Sequence, residues 1–175
     1  MPVVVRRPWV LALAALLTLG ACGDGSSSAG PRVDTEEVEG ILLQRQKERY
    51  PSLKFGQATC PNGILARSGE TFECSVTVEG QPARFRVTIA EVVGERARYE
   101  FRPVRAVVDV LTVTVFLKSR LEEAWRMATV DCGPAKVRVL DVGGVIECTA
   151  SNGTAIRHIQ AVVEDRDGTV TLRER

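Results

Sequence analysis

Histidine and aromatic residues are scarce in this chain, and this scarcity narrows the functions open to it. The 175 residues include one histidine, His158, and only 5% aromatic residues. A single imidazole excludes most histidine-rich metal sites and every catalytic triad that needs a second histidine. His158 itself lies in a predicted strand, where we interpret it as a partly exposed side chain.

Neither sign of charge is in excess. Lys and Arg total 23 and Asp and Glu total 22, which gives a net charge of +1. Proteins that bind nucleic acid through its phosphates need a cluster of excess cations. The composition therefore argues against a nucleic-acid partner, whereas 45% hydrophobic and 26% charged residues are typical of a folded globular protein.

Common catalytic and metal-binding motifs are also missing. The sequence contains no G-x-S-x-G, S-x-x-K or H-E-x-x-H motif, no glycine-rich phosphate loop and no D-x-D-x-D-G calcium loop. Carboxylates do occur in pairs, but at predicted helix ends and turns, where they cap the backbone or face solvent. We therefore predict that the protein is not an enzyme and that it uses no cofactor and no metal ion.

The N-terminal segment has the pattern of an export signal. Arg6 and Arg7 precede an apolar run at residues 9–19, which is too short for a permanent membrane-spanning helix. Such a charged start and short apolar core are typical of a secretory signal peptide, predicted here at residues 1–21. Export through the general secretory route and twin-arginine export through Arg6 and Arg7 both remain open.

The apolar run ends in Leu19-Gly20-Ala21-Cys22. This ending resembles the lipobox of bacterial lipoproteins. The resemblance implies a diacylglycerol on the thiol of Cys22 and a lipid-anchored, extracytoplasmic location at the cell membrane. Residues 22–32 then form a flexible tether, because they are rich in glycine and serine. A conventional signal cleaved nearby is the alternative.

The four remaining cysteines lie in two similar segments. Cys60 and Cys74 are 14 residues apart, and Cys132 and Cys148 are 16 apart. In both segments a proline follows the first cysteine within two residues, and a glycine stands five residues before the second. We interpret this pattern as a tandem repeat and predict two small domains, at residues 33–106 and 107–175.

Disulfide bonds are the expected state of these cysteines in an exported chain. Four cysteines allow three pairings, and the repeat selects Cys60–Cys74 and Cys132–Cys148 because each unit then closes its own loop. A four-cysteine metal site is the alternative, but the chain lacks the paired C-x-x-C spacing that zinc favours.

Each predicted domain is α+β, with one helix packed on an antiparallel β-meander. In the first, Asp34 begins a helix that ends at Tyr50-Pro51, and strands follow at 71–79, 83–89 and 97–101. In the second, residues 107–117 are rich in β-branched residues that favour a strand, but the repeat favours a helix over about 110–125. Further strands are predicted at 136–140, 145–150, 155–163 and 169–173.

Lipobox, tether, helix and cysteine motif together are similar to a family of actinobacterial cell-envelope lipoproteins described only as a domain of unknown function. The residues that carry the resemblance are Cys60, Pro61, Gly69, Phe72 and Cys74. The second copy departs from the motif, since Gly133 precedes Pro134 and Ile146 replaces the aromatic residue. The resemblance implies an envelope location and a small α+β module, and it implies no activity.

One predicted surface carries many cations. If the apolar strand residues point inward, five arginines of neighbouring strands point outward: Arg84, Arg86, Arg96, Arg98 and Arg102. Glu73, Glu79 and Glu100 are expected on the same face. This pattern is typical of a cross-strand lattice of ion pairs that keeps a one-sided sheet soluble. The functional alternative is a face that binds lipid headgroups, cell-wall phosphates or an acidic partner.

The sequence thus predicts a non-catalytic envelope lipoprotein that acts by binding, with its two modules as an interaction surface at the outer face of the membrane. Two alternatives remain: a structural component of the envelope, and an accessory subunit that regulates an envelope enzyme or transporter.

Overall fold

A computed structural model describes residues 30–94, 96–122 and 125–175. Its elements in chain order are α1 Thr35–Arg49, β1 Phe55–Thr59, β2 Thr71–Val78, β3 Gln81–Val93, β4 Arg96–Pro103, β5 Ala106–Asp109, α2 Val110–Arg120, β6 Thr129–Asp131, β7 Val137–Leu140, β8 Val145–Ser151, β9 Ile156–Val163 and β10 Val170–Glu174. The predicted signal peptide at residues 1–21, and Cys22 after it, lie outside the described residues.

The strands form three antiparallel sheets. One has the order β1-β2-β3-β4, a second has the order β10-β9-β8-β6, and β5 pairs with β7 alone. The protein therefore mixes α and β structure with antiparallel sheets and two disulfides, which confirms the coarse form of the predicted fold class. Among the described residues, no helix is long and apolar enough to span a membrane.

Helix α1 begins where the sequence predicts. The Asp34 carboxylate accepts the backbone N–H groups of Glu36 and Glu37, at 3.1 and 3.2 Å, and so caps the first turn. Val38, Leu42 and Gln46, spaced four residues apart, form the buried side of the helix. They pack on the apolar side of the first sheet, where alternate residues of β2 and β3 are buried.

Helix α2 follows a similar plan with a different composition. Asp109 is its N-cap, and Val110, Val113 and Leu117 enter a core shared with β8 and β9. The helix begins at the predicted residue but ends at Arg120 rather than near residue 125. The preceding β-branched residues form β5, so this stretch of sequence is divided between a strand and a helix.

The second sheet differs from the predicted meander. The segment at 136–140 does form a strand, β7, but it pairs with β5 instead of joining β8. Both faces of β5 are buried: Val107 packs in the core of the first sheet, and Ala106 and Val108 pack in the core of the second. The predicted boundary between residues 106 and 107 consequently falls inside this strand.

Each half contains the same pattern of backbone hydrogen bonds, at corresponding positions. Gly69 N–H donates to Ile89 O and Ile89 N–H to Glu70 O, and the same two bonds join Val163 to Gly143 and Gly144. Gly69 and Gly143 both have a positive φ, +86° and +83°. The segment before each helix also pairs with the loop between the cysteines, through the Arg32–Leu65 bridge in one half and β5–β7 in the other.

Candidate functional site

The five predicted arginines lie on the side of the first sheet that faces away from α1, and all five are exposed. Antiparallel pairing sets Arg86 directly opposite Glu73 on β2 and directly opposite Arg102 on β4. We call this surface the arginine face; it consists of Arg84, Arg86, Arg96, Arg98 and Arg102.

Carboxylates on the same side pair with most of these arginines. Glu73 accepts both Arg84 and Arg86, with N–O distances of 3.3 and 3.5 Å. Arg98 lies 3.6 Å from Glu91, and Arg102 lies 3.9 Å from Glu100. No ion pair joins Arg96 to another residue in the described part of the chain. Even the paired arginines stay more than half exposed, so each contact stabilises the fold little.

Among the described residues, cations outnumber carboxylates on this surface. Five guanidinium groups share it with Glu73, Glu91 and Glu100, and Arg86 and Arg102 oppose each other as like charges. Like charges directly across a strand pair are unfavourable in isolation. The arginine face thus keeps a local positive charge in a chain that is close to neutral.

One carboxylate predicted for this surface lies elsewhere, and another takes its place. Glu79 sits in the turn after β2, where its oxygens accept Lys54 N–H at 2.8 Å and lie 3.9 Å from Lys136 Nζ, so its side chain is only 15% exposed. Glu91 joins the arginine face because a β-bulge between Ile89 and Glu91 shifts the alternation of β3. Simple two-residue periodicity cannot reveal such a shift.

Both predicted disulfides are present. Cys60 and Cys74 are bonded, with Cα atoms 4.3 Å apart, and Cys132 and Cys148 are bonded, with Cα atoms 4.0 Å apart. Each bond joins the loop after a first strand to the middle of the next sheet strand, and all four cysteines are buried. This confirms the pairing that the repeat selected.

A second group of polar residues, which sequence patterns did not reveal, joins the two halves. The Tyr50 hydroxyl donates to Val107 O at 3.0 Å, and Arg49 donates to the Tyr50 hydroxyl and to Asp167 O. Burial raises the pKa of Tyr50 above its ordinary value. Tyr50 and Val107 are 57 residues apart in sequence, and Arg49 and Asp167 are 118 apart, so no local signal points to these two contacts.

The carboxylate of Asp109 completes this junction. It accepts the Ser52 hydroxyl from the first half and the backbone N–H of Leu111 from its own helix, at 2.9 Å. The turn after β9 also approaches closely: a Cβ on Gly168 would lie 2.9 Å from Val107 O. Glycine is therefore required there, since any side chain would push the turn off β5.

An apolar groove opens beside the junction. A cavity of about 430 Å³ lies between Tyr50, β5, α2 and the turn at 167–170. A neighbouring cavity of about 450 Å³ extends over Pro51, Leu111 and Val115. Tyr50 and Phe116 line both cavities, so the two adjoin each other along α2, and we call them together the groove. Each has a size typical of ligand sites.

The comparisons with known proteins concern the first half of the chain. Residues 15–94 match a family model described as a domain of unknown function, DUF4333. The matched range includes α1, β1 to β3 and both cysteines of the first disulfide, but neither β4 nor the second half. The actinobacterial origin and the repeat stay predictions. No curated protein and no solved structure matches the chain.

His158 lies apart from the arginine face and from the junction. His158 is exposed on β9, where it lies opposite Thr149 of β8. Within residues 30–94, 96–122 and 125–175, no group of three or more His, Cys, Asp or Glu side chains could hold a metal ion.

Proposed function

We propose that the protein is a non-catalytic lipoprotein of the cell envelope that binds an acidic partner through its arginine face. The observation that carries this proposal is the excess of cations: five arginines from two adjacent strands face three carboxylates, and the paired ones remain more than half exposed. Exposed guanidinium groups can form bidentate hydrogen bonds with carboxylate or phosphate. The partner is then an acidic envelope protein, a lipid headgroup or a cell-wall polymer.

The proposal includes an anchor at Cys22 and two modules, at residues 33–106 and 107–175. The lipobox-like sequence Leu19-Gly20-Ala21-Cys22 supports the anchor. The matching hydrogen bonds around Gly69 and Gly143, together with the matching disulfides, support two copies of one helix-and-sheet unit, with β5 and β7 packed between them.

A structural role is the second candidate. The pairing of Glu73, Glu91 and Glu100 with four of the arginines favours it. A lattice of ion pairs is sufficient to keep the exposed side of a sheet soluble, without any partner. An accessory subunit of an envelope enzyme or transporter would also use a binding face, and identifying its partner would reveal that role.

Photo-crosslinking in cells tests the binding proposal. A photoreactive residue is placed at position 84 or 98, and the protein and lipid adducts are identified by mass. We expect one recurrent adduct. The triple variant Arg84→Gln, Arg86→Gln, Arg98→Gln should lose the partner while its melting temperature stays nearly constant, because exposed ion pairs each contribute about 0–1 kcal/mol.

The control for this experiment removes the same charge from the second half. Arg138, Arg166 and Arg173 are all exposed, and their replacement by glutamine should leave the adduct unchanged. The binding proposal is wrong if positions 84 and 98 give no more adduct than an exposed position such as Thr154. A drop in melting temperature without a loss of adduct would support the structural role instead.

The anchor has its own test. We expect Cys22→Ser to release the protein from the membrane fraction of cells, because two acyl chains hold a domain on a bilayer durably and no second lipidation site is predicted. Metabolic labelling with a clickable fatty acid should mark the parent chain and not the variant. Unchanged fractionation and labelling would contradict the assignment of Cys22.

A further inference from the structure

The outer side of α2 presents large apolar side chains to solvent. Leu111 and Val115 are 60% and 61% exposed, although the opposite side of the helix is buried. They border the groove together with Tyr50, Pro51 and Phe116. We call these five residues the α2 patch. Contiguous exposed apolar surface of this kind marks interaction sites, whereas single exposed apolar residues do not.

Cations stand at one end of this patch. Helical spacing aligns Leu111 and Val115 with Lys118, and it aligns Phe116 with Arg120 on the neighbouring row. The Arg120 guanidinium lies over the Phe116 ring, 5.1 Å from its centroid. Both rows therefore begin with apolar side chains and end with a long cationic one. The methylene groups of such a side chain can cover apolar surface while its charged end stays in water.

The two carboxylates that line the groove are already occupied. Asp109 accepts Ser52 and the first backbone N–H groups of α2, and Asp167 pairs with Arg49 at 3.6 Å. Asp109 keeps its negative charge, and Glu122 beyond the helix lies 3.8 Å from Arg157. The two exposed cations Lys118 and Arg120 therefore leave a net positive charge at this end of the patch. Apolar side chains bordered by exposed cations are complementary to an anionic bilayer, in which acyl chains lie beneath phosphate groups.

We propose that the α2 patch docks on an anionic lipid bilayer. This inference deepens the proposed function and rests on it, because an anchor at Cys22 would keep the domain near a bilayer. The sequence from Cys22 to Pro31 is rich in glycine and serine, and a linker of such composition has a mean span of roughly 17 Å. At that distance even a weak contact of α2 would be strengthened by its high effective concentration, and it would set the orientation of the domain.

Vesicle flotation with the full chain carrying Cys22→Ser tests the patch without the anchor. The probe is a vesicle of phosphatidylglycerol and phosphatidylcholine in equal parts, compared with phosphatidylcholine alone. We expect binding to the anionic vesicle only, weakened by added salt. The double variant Leu111→Glu, Val115→Glu should bind at least about tenfold less, since it places charge where apolar side chains would be buried.

The matched control places the same charge on isolated apolar residues. Val142 and Ile156 are 54% and 64% exposed, and both lie away from the arginine face, so Val142→Glu, Ile156→Glu should bind as the parent does. Near-ultraviolet circular dichroism checks that each variant is folded. If the α2 patch variant is misfolded, Lys118→Gln, Arg120→Gln gives a second test, because both side chains are exposed and their loss should also weaken binding.

Three outcomes overturn the proposal: equal binding by the patch and control variants, equal binding to neutral and anionic vesicles, and no binding by the parent. A parent dimer that Leu111→Glu, Val115→Glu converts to a monomer would assign the patch to self-association instead. Cell fractionation and lipid labelling test the anchor separately. Equal binding of the patch and control variants to anionic vesicles would assign the contact to another cationic surface such as the arginine face, whose partner the crosslinking experiment identifies independently.

Discussion

Tyr50 shows how one side chain connects distant parts of this chain. Its ring lies against the groove, its hydroxyl donates to Val107 O, and the Arg49 guanidinium lies 5.5 Å from the ring centroid. The residue before it ends α1, and Pro51 after it prevents the helix from continuing. A helix end is thereby joined to the strand that lies between the two cores.

The Tyr50 hydroxyl should make stability depend on alkaline pH. Because burial raises the pKa of Tyr50 in the folded state, its contribution to the free energy of unfolding is complete below the ordinary tyrosine pKa and is lost as the pH rises through the raised value. Tyr50→Phe should cost about 1 kcal/mol at neutral pH. It should also reduce the loss of stability between about pH 9 and about pH 11, measured by urea unfolding.

Tyr99 provides the comparison for this prediction. Burial also raises the pKa of Tyr99, with Glu37 and Asp34 adding to the effect, so part of the alkaline dependence should persist in Tyr50→Phe. The double variant Tyr50→Phe, Tyr99→Phe should remove the tyrosine contribution. An alkaline dependence that is the same in the parent and in Tyr50→Phe would contradict our account of the hydroxyl.

At the scale of the element, α2 is a helix whose composition favours a strand. Its first seven residues include Val110, Val113, Val115 and two threonines, which are stiff side chains that lower helix propensity. Two features offset this preference. The Asp109 carboxylate caps the first turn, and burial of Val110, Val113 and Leu117 stabilises the helical arrangement.

Asp109→Ala should therefore destabilise the protein more than the equivalent change in α1. Loss of an N-cap costs about 1 kcal/mol, and here the change also removes the hydrogen bond from the exposed Ser52 hydroxyl, for a total of about 1–2 kcal/mol. Asp34→Ala is the matched control, because α1 keeps Glu36 and Glu37 in its first turn. Equal costs for the two variants in denaturant unfolding would show that α2 does not depend on this cap.

At the scale of the whole molecule, β5 and β7 make the two halves depend on each other. Val107 and Val137 belong to the core of the first sheet, while Ala106 and Val108 belong to that of the second. The Lys136–Glu79 ion pair and the hydrogen bond from Gln81 to Val137 O also cross between the halves. Neither core is complete without this layer.

We therefore expect the halves to unfold together. Trp125 is buried in the second half beneath Arg157, so in a Trp9→Phe chain its fluorescence reports on that half alone. Replacing Cys60 and Cys74 by serine should destabilise the first half by about 3 kcal/mol, through the loss of a loop constraint. The Trp125 transition should shift to lower denaturant by the same amount as the circular-dichroism transition.

The alternative result is equally clear. If the halves unfold independently, the Trp125 transition will stay where it is in the parent while the circular-dichroism curve divides into two steps. The reciprocal variant replaces Cys132 and Cys148 by serine and so destabilises the second half first. If the halves are coupled, this variant should also shift both the Trp125 transition and the circular-dichroism transition.

Local patterns determined much of this structure. The cap at Asp34, the alternation of β2 and β3, and the outward arginines follow from helical and strand periodicity, which depends on residues close in sequence. The disulfide pairing followed from the repeated spacing of the cysteines. Most of the strands in the described part of the chain were placed for the same reason, and only the short β1, β5 and β6 were missed.

Tertiary structure alone decided the features that depend on distant residues. The turn after β2 holds Glu79 away from the arginine face, and a bulge in β3 places Glu91 on that face. Strand β7 pairs with β5 rather than with β8, the next strand in sequence. The junction of Tyr50 with Val107 and the exposed patch on α2 arise only when two cores pack on one shared layer. Periodicity determines which side of an element is apolar, but packing determines which apolar side is covered and which is left for a partner.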